Sequence, residues 1–183
     1  MQTLEQQGLI DLFYGDEAGF SLQSVVPYGW QQPGEVLERA AVRSPQLNVL
    51  GWLSASGHQL RSWVFEQSIT SEVVIGAIDE WVGQLTQLTV LVLDNGPMHR
   101  SKLVKAQLVR WQQAGLYVFF LPAYSPHLNK IETLWRKMKY EWLTESAYQS
   151  LTSLKAAVTH LLTDYGNSHH IQFAVTHCII DLV

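Results

Sequence analysis

Three acids stand where a fold can bring carboxylates together. Asp94 follows the apolar run Val90-Leu91-Val92-Leu93 and precedes Asn95-Gly96. Glu132 ends Leu128-Asn129-Lys130-Ile131-Glu132, just after the proline-bounded Pro122-Ala123-Tyr124-Ser125-Pro126, and 37 residues separate it from Asp94. Asp16 closes another apolar run that starts at Leu9. Mg²⁺ is a hard octahedral ion that takes one or two carboxylates and fills its other positions with water and phosphate oxygens. Two such ions about 3.5–4 Å apart can activate an attacking oxygen and stabilise a leaving one. Asp16 and Asp94 on adjacent strand ends, with Glu132 on a helix packed across them, would suit phosphodiester cleavage or transfer.

Each acid also has an ordinary reading. Asp and Asn are common where strands end, so Asp16 and Asp94 fit as turn residues. Glu132 fits as a first-turn glutamate at N3, with Asn129 as the N-cap. Glu17 adjoins Asp16, but neighbours on a strand point to opposite faces, so only one is expected as a ligand, and Asp16 directly follows the apolar run. Asn95 and His99 can orient water or contact phosphate, and His99 can equally cap the next helix. Tyr124 can touch nucleic acid or pack.

The elements that must position these residues follow from apolar periodicity. Strands are predicted over 9–16, 20–26, 47–53, 60–65, 89–93 and 116–121, with Glu17-Ala18-Gly19 as a turn or bulge. The stretch 27–34, with two prolines and two glycines, is expected to be irregular. Helices are predicted over 71–85, 101–113, 128–143 and 150–163, the second with Leu103, Leu108 and Trp111 facing inward. A strand–helix–strand unit across 89–121 argues parallel pairing with a right-handed crossover. The expected fold is α/β: a mixed five-stranded sheet, three antiparallel strands plus a parallel βαβ unit, flanked by helices.

At 183 residues the chain suits one domain, and lone Cys178 leaves no intramolecular disulfide. No basic-then-apolar leader and no membrane-length apolar run appear, so a cytoplasmic protein is expected. Net charge is −4. Yet residues 95–140 hold Arg100, Lys102, Lys105, Arg110, Lys130, Arg136, Lys137 and Lys139 against Glu132 alone, a segment of +7 beside a remainder of −11. That division suits a polyanion held against metal-binding carboxylates; it also suits two solvated amphipathic helices. The tail carries His169, His170, His177 and Cys178, but the spacing matches no closed zinc pattern, and a terminal helix or strand closing the core is expected instead.

Asp16-Glu17-Ala18-Gly19-Phe20, Gly29-Trp30 to Pro33-Gly34, Leu93-Asp94-Asn95-Gly96-Pro97-Met98-His99, and Leu121 through Glu132 with Trp135 beyond resemble the DDE transposases of bacterial insertion sequences related to the Tc/mariner superfamily. The resemblance covers Asp16 to about Leu143 and implies an RNase H-like fold, so a catalytic domain is expected over 9–164; the polar residues 1–8 are expected to be disordered or frayed, and the tail 165–183 has no clear role. It implies Asp16, Asp94 and Glu132 as catalytic metal ligands for two Mg²⁺ or Mn²⁺ ions, cleavage at transposon ends and strand transfer into target DNA. Asn95, His99, Arg100, Lys102, Tyr124, Lys130, Arg136 and Lys139 are the candidate DNA contacts. A homodimer is implied, acting on the bacterial nucleoid. Relatives place a helix-turn-helix before the catalytic domain; here the first strand begins within ten residues of Met1, which leaves three alternatives: the second half of a split reading frame with a separate N-terminal half, a trimmed piece, or a decayed copy. Lys130 stands where proline is common in that family, and the 37-residue gap is slightly long for it.

Overall fold

The apolar runs assemble into one sheet in a computed structural model, which describes residues 1–22 and 45–173. In chain order the elements are α1 (Gln2–Gln6), β1 (Asp11–Ser21), β2 (Gln46–Ser54), β3 (Leu60–Phe65), α2 (Ser71–Val82), β4 (Thr89–Leu93), α3 (Lys102–Gln113), β5 (Leu116–Phe120), α4 (Ile131–Lys137) and α5 (Leu151–Thr163). The sheet order is β3-β2-β1-β4-β5. β1, β2 and β3 pair antiparallel and β4–β5 pair parallel, as the sequence predicts, and β1–β4 also pair parallel.

Strand alternation splits the core into two layers. On β1, Leu12, Tyr14, Ala18 and Phe20 point to the layer closed by Ile131, Leu134, Trp135, Leu154 and Val158 of α4 and α5. Phe13 points the other way, to Trp52, Leu91 and Leu93 beneath Ile78, Trp81, Val104 and Trp111 of α2 and α3. Burying each such side chain contributes roughly 1.5–3 kcal/mol. Asp79 of α2 joins the two helices of that layer: it accepts from Trp111 Nε1 at 2.6 Å and from Arg110 Nη2 at 2.6 and 2.8 Å.

Several elements depart from the sequence expectation. Glu17-Ala18-Gly19 is not a turn: these residues pair with Leu50, Val49 and Asn48 of β2, and the long ladder overrides their turn-like composition. The expected strand 20–26 is the end of β1 as far as Ser21; residues 23–26 and the irregular 27–34 lie outside the described residues. Residues 2–6 form a helical turn with no buried side chain where fraying was expected. α3 is rotated from its expected face, burying Val104 and Trp111 and leaving Leu103 exposed.

The predicted helix 128–143 is three pieces: a 3₁₀ turn Pro126–Leu128, then α4, then a π-helical turn Met138–Trp142. α4 lies close on the sheet because of Gly51. A Cβ there would stand 2.8 Å from Trp135 Cη2, so only bare backbone admits the indole. Gly51 is the β2 partner of Asp16, which places α4 directly over that acid's strand.

Residues 165–173 fold back over the β2–β3 turn without forming a helix. Tyr165 donates its hydroxyl to Gly57 O at 2.7 Å and accepts from Ile171 N–H at 3.2 Å, and Ile171 is 2% exposed. His177, Cys178 and the terminal apolar run lie outside the described residues.

Candidate active site

The register of the sheet puts two of the three acids side by side. Parallel pairing of β1 with β4 ends at Gly15↔Leu93, so the next residue outward on each strand is Asp16 and Asp94. Asp16 shares the face of Tyr14 and Ala18, beneath α4, and is 8% exposed. Glu132 is exposed in the first turn of α4. Burial, reinforced by the charges of Glu17, Glu132 and Asp94, pushes the Asp16 carboxyl up to about 8 against a backbone hydrogen bond that favours ionisation. At neutral pH, without a cation, Asp16 therefore keeps its proton.

That crowding is what a hard divalent ion relieves, and the donors are all oxygens. In this respect the residues fit Mg²⁺ or Mn²⁺. Among the described residues no three His, Cys, Asp or Glu side chains are drawn into a ready-made cage. Ions of this type complete their shell with water and substrate oxygens.

Asp94 is held from the opposite side. Its Oδ1 accepts from Gly96 N–H at 2.9 Å and lies 2.6 Å from His99 Nδ1. The other ring nitrogen, Nε2, is 3.2 Å from Glu17 Oε2, a charge contact without hydrogen-bond alignment. One imidazole thus bridges the two strand ends. The His99 hydrogen bond, supported by Gly96 N–H, holds Asp94 below the usual carboxylate range despite burial. Burial opposes a charge on His99, but Asp94 and Glu17 outweigh it and raise the ring to about 9. His99 is 0% exposed, a buried tie between the two acids.

Asn129 is not the N-cap of α4; Lys130 takes that position. The Asn129 amide instead donates to Gly15 O at 3.0 Å, next to Asp16, and is 3% exposed with its Oδ1 unpartnered. A residue three before Glu132 therefore fixes the approach of α4 to β1. Lys130 also turns away from the groove. Its ammonium donates to Ala55 O at 2.9 Å and sits 4.5 Å from the Phe173 ring centroid. Sequence reasoning missed these roles for Glu17 and Asn129; strand parity was the available signal for Glu17.

Of the other basic residues expected to meet DNA, Arg100, Lys102 and Arg136 are exposed, and Asn95 is half-buried. Arg110 and Lys137 are committed to Asp79 and Glu141. Burial lowers the Lys139 ammonium, while the charges of Glu132 and Asp16 pull it back up, so this cation stands near both acids. Tyr124 does not pack: it is 100% exposed, at φ +58°, a conformation that costs a non-glycine residue about 1–3 kcal/mol.

Two hollows flank Glu132. One, about 450 Å³, lies between the Asp94 and Tyr124 loops; the other, about 670 Å³, is lined by His127, Arg136, Lys139 and Tyr140. Asn129 and Glu132 line both. A larger hollow of about 810 Å³ along α5 shares no residue with either and holds none of the three acids.

Solved structures with this architecture include the Mos1 strand transfer complex, at TM-score 0.61 and 17% identity over 88% of this chain and 50% of that one. The catalytic domain of Mos1 mariner transposase aligns at TM-score 0.52 and 15% identity, covering 88% and 74% of the two chains. The catalytic core domain of BIV integrase aligns at TM-score 0.51 and 16% identity, covering 86% and 84%. These likenesses identify the sheet and its helices as the RNase H-like fold of transposase and integrase catalytic cores. The chain spans about half the length of the Mos1 transposase in its strand transfer complex. No curated protein sequence matches it. The sequence profile of the DDE superfamily endonucleases matches residues 11–155, most of the chain, and the protein belongs to that family.

Proposed function

We propose that this chain is the catalytic domain of a transposase of the bacterial insertion-sequence kind. It would cleave phosphodiester bonds at transposon ends and transfer the strands into target DNA, with Asp16, Asp94 and Glu132 as the catalytic metal ligands. The observation that carries the proposal is the buried, proton-holding Asp16 beside Asp94 on adjacent strand ends, crowded by the charge of Glu132. Mos1 paired-end complexes have been solved with Mg and with Mn, in keeping with this donor set. Two divalent ions, when bound, supply activation of the attacking oxygen and charge stabilisation of the leaving one.

The chain's own residues supply the rest. Asp16 would hold a divalent ion as the carboxylate, its proton released to solvent. His99 and Gly96 occupy Asp94 Oδ1, leaving Oδ2 as the oxygen free to ligate. Asn129 and the Trp135 seat fix the approach of α4, whose first turn carries Glu132, to β1 and β2. Arg136 and Lys139, beside Glu132 in the larger of its two hollows, offer cations to a phosphate backbone. Working partners would be transposon-end and target DNA and a second copy of the chain, in the bacterial cytoplasm at the nucleoid. Among the described residues no helix is long and apolar enough to cross a membrane.

The test is nicking of supercoiled DNA by the purified chain in Mg²⁺ or Mn²⁺. Chelator and Asp94→Asn should each abolish it, with circular dichroism unchanged. Equal nicking in chelator would overturn the metal mechanism. A second reading, a non-catalytic DNA-binding or dimerisation module, gains from the lack of a preassembled three-ligand cage among the described residues. It requires Mn²⁺ to bind the wild type no better than Asp94→Asn. An RNase H-like nuclease acting on RNA–DNA hybrids would share the site, and cleavage confined to hybrids would identify it.

A further inference from the structure

The two oxygens of Asp94 meet different surroundings. Oδ1 accepts from Gly96 N–H at 2.9 Å and from His99 Nδ1 at 2.6 Å. A carboxylate oxygen has two lone-pair sites, so these two donors fill both. Oδ2 has no hydrogen-bond partner among the described residues, and the side chain is 45% exposed.

The fold holds both donors in place. Gly96 approaches with bare backbone: a Cβ there would stand 3.0 Å from Oδ1. His99 is 0% exposed, so no water competes for its Nδ1–H. Its Nε2 faces Glu17 Oε2 at 3.2 Å, and a ring turned over would present carbons to both acids. Because the acceptor is a carboxylate, Nδ1 carries a hydrogen whatever the charge of the ring. Ser71 Oγ donates to Met98 O at 3.0 Å and ties the preceding backbone to α2.

A carboxylate with one free oxygen does not suit every divalent ion. Mg²⁺ takes near-ideal octahedral oxygens at about 2.0–2.1 Å, and Mn²⁺ shares that preference. Ca²⁺ takes about 6–8 oxygens at about 2.3–2.6 Å and gathers some of them in pairs from single carboxylates.

We propose that His99 is a positioning residue that selects the metal. Together with Gly96 it fills Oδ1 of Asp94, limits that acid to one ligating oxygen, and so disfavours Ca²⁺ against Mg²⁺ and Mn²⁺. The inference rests on the reading of Asp94 as a metal ligand and deepens it. The ring acts on metal in two separable ways. Any positive charge on it repels all divalent ions alike and leaves the preference between two of them unchanged. The occupied lone pair bears on Ca²⁺ alone.

The experiment strips the full chain of metal, dialyses away the chelator, and loads Mn²⁺. Electron paramagnetic resonance follows the bound ion as Ca²⁺ is added in competition. The readout is the ratio of the Ca²⁺ to the Mn²⁺ dissociation constant. His99→Leu frees a lone pair of Oδ1 and should lower this ratio about tenfold. His99→Met serves the same comparison if the leucine variant does not fold. His99→Asn places an amide N–H where Nδ1–H stood and carries no charge. It should bind both ions at least as tightly as the wild type while keeping the ratio within about twofold. A merely structural role for His99 would weaken both ions together and leave the ratio in place. A ratio unmoved by His99→Leu, or lowered equally by His99→Asn, overturns the selection and leaves the metal site standing. A wild type that binds Ca²⁺ as tightly as Mn²⁺ overturns it without any variant. If the wild type binds no Mn²⁺, the metal reading of the three acids fails, and the selection fails with it.

Discussion

Asp16→Asn should stabilise the metal-free protein and remove its response to metal. The side chain has a carboxyl pKa of 3.8 as a free group and about 8 in the fold. At pH 7 the unfolded chain is ionised there, while the folded chain still holds the proton. Over about three pH units, at 1.36 kcal/mol each, the difference is on the order of 4 kcal/mol against the fold. That figure is an upper bound for the substitution, since the amide is also a buried polar group. The sign is that of a raised carboxyl: the fold binds more protons than the unfolded chain, so stability is lost as pH rises from about 4 to about 8. Between pH 5 and 6.5 the lowered Asp94 and Asp79 are ionised in both states, and His99 is protonated in the folded one. Urea unfolding in chelator, followed by the fluorescence of the seven tryptophans, should show wild-type stability falling by about 1 kcal/mol per pH unit in this window. Asp16→Asn should be flatter and more stable at pH 7. Millimolar Mn²⁺ should raise wild-type stability and leave the variant nearly unmoved. A variant less stable than wild type in chelator, with an equal pH slope, would refute the crowding of Asp16.

Other perturbations probe the supports. His99→Leu should cost about 2 kcal/mol in urea unfolding, by leaving Glu17 and Asp94 without their shared cation. The stabilising proton on wild-type His99, fully present below about pH 6.5, should be lost as pH rises through about 9, a decline absent from the variant. Gly51→Ala should displace Trp135, lowering stability by about 1–3 kcal/mol and weakening Mn²⁺ binding measured by electron paramagnetic resonance. Lys130→Met should leave the salt dependence of DNA binding unchanged. Arg136→Ala should reduce that slope by about one in anisotropy titrations.

The sheet was legible because its strands are short apolar runs whose alternation and spacing leave few pairings. Asp16 and Asp94 could be placed at strand ends for the same reason. What stayed hidden depends on partners distant in sequence. Glu17-Ala18-Gly19 carries turn residues, yet the β2 ladder extends through it. Asn129 reads locally as a cap, but a backbone carbonyl 114 residues away claims its amide. His99 sits five residues from Asp94, where periodicity says nothing about an imidazole turned inward between two acids. The inner stripe of α3 was misplaced because Leu103 and Val104 are equally apolar neighbours; packing against the sheet chooses Val104.

The return of residues 165–173 over the β2–β3 turn has a consequence for where this unit can be cut. The family match stops at residue 155, yet Ile171 is buried and Tyr165 is bonded to both Gly57 and Ile171. Phe173 in turn covers the ammonium that anchors Lys130 to the same hairpin, at the start of the helix carrying Glu132. Homology and cooperativity therefore draw different borders. A segment trimmed to the shared family region would keep all three acids but lose the second half of α5, with buried Val158, Leu161 and Leu162, as well as the clasp that ties one helix end to the hairpin, and its melting temperature should fall.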